Sequence, residues 1–581
     1  MSHRVSFPGA RNHYVDVEST FPTAGRPAIE TMMAVWTPGS YLVREFSRNL
    51  ESVVASGPEG EALAIEKTRK NRWRIATGGA DPVTVRYRVY AGEMSVRTSW
   101  VSDDMAVLNG AALLMAPAGD LGADHDITFE LPGDWQESIT ALPPHPGGQR
   151  HRYLAPDFDT VVDSPVLLGN PVVRQFEVDG VRHRLAQIGD TSMWDADRAA
   201  RDATRLVETQ RAFWGQLPYR SYDFLAVLLD GVNSGGLEHL SSTLLISSPW
   251  GMRRSKDYGR WLGLISHEYF HAWNVKRLRP VELGPFDYEN EVYTRSLWWA
   301  EGVTSYYDDL LVRRAGLIDR ARYLAALSQQ IRDVEGGPGR AVQPLSLGSF
   351  DAWIKYYRPD ENSTNASVDY YDKGAVIGFL LDAEIRRATD GQRSLDDVMR
   401  AMYRRYAGPR GYRPEELREM AEQVSGADLR QFWRDYIDGV APLDYRAALD
   451  YYGLRFAAAA PGTDPAGEEP GYLGLDARAD GGRIRVTKVV RDGPAWAAGV
   501  QAGDEILAID DRRVPPEGME APLGRYRPGQ RATLLVSRWT VLRRLPVVLG
   551  RAPGEKFELE VVSGASAAQR ARLDAWLASG R

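Results

Sequence analysis

The chain carries nine histidines, and two of them bracket a glutamate in the run His267-Glu268-Tyr269-Phe270-His271. On an α-helix, residues four apart share a face, so both imidazoles reach one metal ion. Zinc accepts neutral imidazole nitrogens at about 2.0–2.1 Å, and the intervening Glu268 is placed to act as general base on a water. Leu262, Ile265, Phe270 and Trp273 give this helix an apolar flank that seats it in a core. The chain has no cysteine, so thiolate ligands and disulfides are excluded and the metal must rest on histidine and carboxylate.

Two histidines leave one protein position of a three-ligand catalytic site unfilled. Glu301 is the candidate. It lies 30 positions after His271 (301 − 271), beyond a loop with Pro280, Gly284 and Pro285. Its surroundings, Ser296 to Asp309, read as a second helix that returns antiparallel to the first. A carboxylate among Trp298 and Trp299 is costly to bury unless it is paired or bound to a cation. Ligand type favours zinc, while Co²⁺ or Mn²⁺ loading fits the same donors.

The run from His267 to Pro280, followed by Leu297 to Tyr307, resembles the M61 family of metallopeptidases, the glycyl-aminopeptidase-like relatives of the M1 aminopeptidases. Trp36-Thr-Pro-Gly-Ser-Tyr41 is similar to a recurrent element of the M61 N-terminal domain. Gly235-Gly236-Leu237-Glu238-His239 resembles the M1 Gly-x-Met-Glu-Asn strand, with Leu237 and His239 in place of Met and Asn. The resemblance implies that Glu238 holds the free α-amine of a substrate, with Gly235, Gly236 and His239 beside it. A carboxylate there would pair with a protonated N-terminus and obstruct longer chains. Tyr371-Asp372-Lys373-Gly374 resembles the M1 Y-x-K-G segment, which implies that the Tyr371 phenol stabilises the oxyanion; Tyr370 is its adjacent decoy. The resemblance also implies a preference for Gly or Ala at the N-terminus.

These residues need a large frame. At 581 residues about three domains are expected. Residues 1–170 alternate apolar and polar positions between turn signals, as in Val83 to Tyr90, and read as an all-β, sandwich-like domain. Residues 171–455 read as an α-rich, thermolysin-like catalytic domain with a helical extension, including a helix from Thr191 to Trp214 and a strand over Leu237 to Ser248. Residues 456–471 are a linker by composition. Residues 472–552, through Tyr472 to Leu475 and Gly493 to Asp510, resemble a PDZ domain, which implies capture of a peptide or protein C-terminus by β-augmentation. Residues 553–581 form a tail with a short amphipathic helix expected to dock on the body.

A net charge of −7, without a basic block, argues against nucleic-acid binding. No apolar run is long enough to span a bilayer. Met1 to Phe7 is followed by no long apolar segment, so a leader is either missing or trimmed, which leaves cytoplasm and bacterial periplasm both open. The expected function is zinc-dependent aminopeptidase action on peptides with a free N-terminus. A PDZ-assisted zinc endopeptidase is the first alternative. A non-enzymatic PDZ adaptor on a protease scaffold is the second, disfavoured by the intact His267, Glu268, His271 and Glu301.

Overall fold

In the computed structural model, residues 1–457, 469–553 and 557–578 are described. The N-terminal region is all-β. A seven-stranded sheet runs in the order Arg152–Ala155, His125–Glu130, Ser2–Gly9, Tyr14–Phe21, Val83–Tyr90, Leu50–Ser56, Ala62–Leu63. Strand Val83–Tyr90 follows its sequence pattern: Val83, Val85, Tyr87 and Val89 are buried while the residues between them face outward. Two four-stranded sheets complete the region.

The catalytic region starts from a five-stranded sheet in the order Val172–Val178, Val181–Gly189, Ser221–Leu228, Ser242–Ser247, Gly235–Glu238. The last strand is therefore an edge, antiparallel to its neighbour. The continuous strand expected over Leu237 to Ser248 is instead a hairpin. His239 N–H donates to the Ser242 carbonyl at 3.0 Å, and the Asp163 carboxylate accepts from Leu240 N–H at 2.7 Å. No glycine or proline marks that turn, so the apolar run hid it. Helix Ala196–Trp214 begins five residues later than expected, because the Asp195 side chain caps it by accepting from Arg198 N–H.

Helices Ser255–Phe270, Val303–Arg314, Arg320–Gly336, Tyr370–Ala388, Leu395–Tyr406 and Pro414–Ser425 pack around one aromatic-rich core. The expected uniform helix around Glu301 opens into a π-turn, Trp298–Gly302, before the α-helix proper. The Asn274 side-chain amide donates to the carbonyls of Trp299 and Ala300 at 3.2 and 3.3 Å, which offers the widened turn the partners it needs. Gly302 crosses Gly374 so closely that a Cβ on Gly302 would lie 2.6 Å from Gly374 Cα. The Glu301 turn and the Tyr371 helix are thereby held at backbone contact.

The C-terminal region is a PDZ domain. Its sheet runs Leu475–Asp480, Arg483–Val489, Glu505–Ile509, Arg531–Arg538, Val541–Val548, with Arg512–Arg513 beside the third strand. Its core is built on Ile484, Val486, Ile506, Leu534 and Val536. Most of the expected linker, 458–468, lies outside the described residues. Strand Leu454–Phe456, before the PDZ domain, pairs antiparallel with Leu559–Val561, after it. The chain then ends in helix Ala567–Leu577, whose Trp576 is fully buried and donates from Nε1 to the Tyr306 hydroxyl at 2.8 Å. The tail thus joins the catalytic core. Asn365, 2% exposed, clamps the PDZ loop: its amide donates to the Val489 carbonyl and accepts from Arg491 N–H, both at 2.8 Å. Among the described residues no helix is long and apolar enough to cross a membrane.

Candidate active site

His267, in the last turn of helix Ser255–Phe270, and His271, which caps that helix, stand one helical turn apart, with ring centroids 4.7 Å apart and planes near perpendicular. Glu301 reaches them from the π-turn. Its Oε2 lies 3.5 Å from His267 Nε2 and 3.1 Å from His271 Nε2. The three ligand atoms lie within 4.8 Å of one another, close enough to share one ion. Glu301 is 2% exposed and its Oε1 has no hydrogen-bond partner. Burial alone would raise its pKa, but the His271 and His267 imidazoles outweigh that and hold the carboxylate ionised. A buried anionic carboxylate with an orphaned oxygen and two convergent imidazoles fits a divalent cation.

The groups that orient these donors were not named from sequence. His271 Nδ1 donates to the Asn274 carbonyl at 2.6 Å, which leaves Nε2 free to ligate. His267 Nδ1 meets Asp308 Oδ2 at 3.2 Å. Asp308 stands seven residues after Glu301, two helical turns along the same face, and that spacing was the available signal. Outer partners of this type tune metal affinity. Asp308→Ala is expected to weaken metal retention by about 10- to 100-fold, read by chelator competition. An unchanged affinity would show that Asp308 does not orient His267.

Glu268 points into the same cleft, with burial raising its pKa above the ordinary carboxylate range. The backbone of Gly236 packs on it; a Cβ there would sit 2.3 Å from Glu268 Cδ. Oxygens of Glu238 and Glu268 and a nitrogen of His271 also fall within 4.8 Å of one another. Tyr371 lines the cleft with its ring 6.1 Å from that of His267, whereas Tyr370 is fully buried and does not line it. Burial, reinforced by Glu301, pushes the Tyr371 phenol well above its usual pKa, so it stays protonated.

Two sequence candidates are not brought to this cluster. His239 turns into a neighbouring cavity of about 270 Å³, where its Nδ1 lies 3.4 Å from Asp163, itself paired with Lys276 at 2.6 Å. Gly235 lies further along the edge strand, beside Trp194 and Trp261.

The N-terminal region supplies residues that sequence reasoning did not place at the site. The Trp36 to Tyr41 turn lays Gly39 over Glu238. At φ +85° a Cβ on Gly39 would meet both Glu238 oxygens at 2.6 and 2.7 Å, so the lid requires glycine. The Pro38-Gly39 dipeptide announced a turn but not its destination. Arg97, Tyr356 and Tyr357 complete a cleft of about 300 Å³, and Tyr357 donates to the Gly39 carbonyl at 3.5 Å.

Residues 2–170 match the Peptidase M61 N-terminal domain, residues 260–377 match the M61 glycyl aminopeptidase and residues 485–538 match a PDZ domain. The crystal structure of an aminopeptidase N family protein from Idiomarina loihiensis is similar throughout, with 30% identity, 99% of each chain covered and a TM-score of 0.90. An M1 zinc metallopeptidase from Deinococcus radiodurans aligns over 76% of this chain and 94% of its own, at 13% identity and a TM-score of 0.47. No curated protein matches the chain. With both M61 regions matched in order, and a relative at 30% identity along its whole length, the chain belongs to the M61 glycyl aminopeptidase family of metallopeptidases.

Proposed function

We propose that this protein is a zinc-dependent aminopeptidase that removes a small N-terminal residue, glycine or alanine, from peptides. The observation that carries this reading is the position of Glu238. Its carboxylate lies within 4.8 Å of both Glu268 and His271. The α-nitrogen of a peptide is about 2.5 Å from its own carbonyl carbon, given N–Cα and Cα–C bonds of about 1.5 Å. With a charge-assisted hydrogen bond of about 2.8 Å to Glu238, one residue spans the gap and puts its carbonyl beside Glu268. Gly39 packs directly on the Glu238 carboxylate and walls the cleft at that end.

His267, His271 and Glu301 would hold the zinc. A bound Zn²⁺ supplies Lewis-acid polarisation of the scissile carbonyl and lowers the pKa of a water. Glu268 takes the proton of the attacking water and passes it to the leaving amine. The Tyr371 hydroxyl donates to the developing oxyanion. Glu238 anchors the ammonium group. Tyr356, Tyr357 and Tyr371 narrow the space around the first residue, which supports a preference for small side chains.

Aminoacyl reporters test the reading. Glycyl and alanyl reporters are expected to be cleaved at least about tenfold faster than a leucyl one. Chelation should abolish turnover and added Zn²⁺ restore it. Full activity after exhaustive metal removal would sink the proposal.

The PDZ domain is proposed to take a peptide C-terminus as a separate docking event. Support comes from strand Leu475–Asp480, an edge of the sheet, which follows a turn with Gly474 at φ +71°. An exposed edge after such a turn is the arrangement used in β-augmentation.

A further inference from the structure

The wall that the N-terminal region contributes to the cleft carries two arginines that, among the described residues, form no ion pair with a carboxylate. Arg97 lines the cleft beside Tyr357. Its Nε is buried without a hydrogen-bond partner, and among the described residues no carboxylate pairs with its guanidinium. Arg44 stands behind it. The Arg44 Nη2 donates to Ser40 Oγ at 2.8 Å, while its Nε is also buried and unpartnered. Glu93, the one acid that acts on Arg44 among its leading influences, is instead 3.7 Å from Arg48. Two guanidinium groups this close repel each other, and each loses hydration on burial. Both effects press Arg44 down to about 10, burial first and Arg97 second.

The loop that presents Arg97 is tied rather than loose. Thr98 Oγ1 donates to the Glu93 carbonyl at 2.7 Å, the Ser95 and Thr98 hydroxyls meet at 2.7 Å, and Arg97 N–H donates to Ser95 Oγ at 3.2 Å. A cation on a braced loop that pairs directly with none of the cleft's own acids, Glu238, Glu268, Glu301 and Asp308, is arranged for an anion that arrives from outside. Tyr357 relates it to the rest of the site: this tyrosine bonds Gly39, the residue lying on Glu238, and it also neighbours Arg97.

We infer that Arg97, backed by Arg44, forms a carboxylate subsite for the substrate, opposite in sign to the amine subsite at Glu238. The inference rests on the aminopeptidase reading for the position of the amine. Guanidinium binds carboxylate in a two-pronged geometry, and with Nε buried it is the two terminal nitrogens of Arg97 that supply the prongs on the cleft side. Two parts of a peptide supply this group: the side chain of an N-terminal aspartate, or the free C-terminus of a dipeptide.

Two matched pairs separate the sources. The first compares aspartyl with asparaginyl reporters. The second compares alanyl-alanine with its C-terminal amide. In the wild-type protein, the charged member of at least one pair is expected to be favoured by about tenfold or more in kcat/KM, and the pair that responds names the source. In Arg97→Gln that ratio should fall to near one, and Arg97→Lys should retain part of it. The ratio is the readout, so a general loss of activity does not mimic the effect. Calorimetric titration of the same four compounds into zinc-loaded Glu268→Gln protein reads the charge preference without turnover. Absence of any preference in both pairs, with the alanyl reporter cleaved, overturns the subsite and leaves the aminopeptidase reading standing. Failure to cleave any reporter removes that reading, while the titration still decides whether carboxylate is preferred.

Discussion

Glu268→Gln is expected to lower kcat on an alanyl reporter by about a thousandfold, with zinc content unchanged. Glutamine keeps the shape of the side chain, which matters here because Gly236 leaves no slack against it: a Cβ at that position would already overlap Glu268. The substitution removes only the capacity to accept a proton. General-base terms are typically worth about 10²- to 10⁴-fold, and Glu268 is charged with both withdrawal and return of the proton. Glu268 is not among the three clustered metal donors His267, His271 and Glu301, so metal analysis should not move. Steady-state kinetics beside metal quantification makes the check. A zinc-loaded variant with wild-type turnover would show that another group does the proton transfer.

Glu238→Gln carries the second largest effect, and it tests the direction of the peptide rather than the chemistry. The variant is expected to lose about 30- to 100-fold in kcat/KM on substrates with a free amine, the worth of one strong charge-assisted contact in a buried setting. On N-acetylated peptides it should lose little, because wild type is itself expected to handle them poorly. The gap between free and blocked substrates should therefore close. If wild type cleaves blocked peptides as fast as free ones, Glu238 is not an amine anchor. The PDZ-assisted endopeptidase would then be the better account, with Gly39 a lid over an ordinary buried acid.

The sequence was most legible where chemistry is dense in one segment. His267, Glu268 and His271 lie within one helical turn or so, and an i, i+4 rule needs no tertiary information. Glu301 was legible because a lone carboxylate among tryptophans demands an explanation. The N-terminal strands were readable where alternation is strict, as in Val83 to Tyr90. What stayed hidden depends on contacts between distant segments. Gly39 and Glu238 are 199 positions apart (238 − 39), and nothing local says that one covers the other. Arg97 looks like any surface arginine until its unpaired Nε is seen. His239 shows the opposite failure. Its neighbour in sequence, Glu238, faces the cleft, but the hairpin turn sends His239 to Asp163 instead. The π-turn at Glu301 was invisible because the amide that bonds its carbonyls belongs to Asn274, 27 positions earlier (301 − 274).

The pairing of Leu454–Phe456 with Leu559–Val561 has a consequence for modularity. In linear order the PDZ domain comes late, and it invites treatment as a detachable C-terminal appendage. In space it is a cassette spliced into the hydrolase, because the strands on either side of it are hydrogen-bonded neighbours; Ala457 N–H even donates to the Glu558 carbonyl. A chain whose exit and entry points adjoin tolerates excision or exchange of what lies between them, with a short turn joining the two strands. Trimming from the C-terminus has the reverse effect. It removes Trp576 first, and with it the partner of Tyr306, before it reaches the PDZ domain at all. For M61 chains built this way, the part that can be swapped is internal, and the last helix is a keystone of the enzyme.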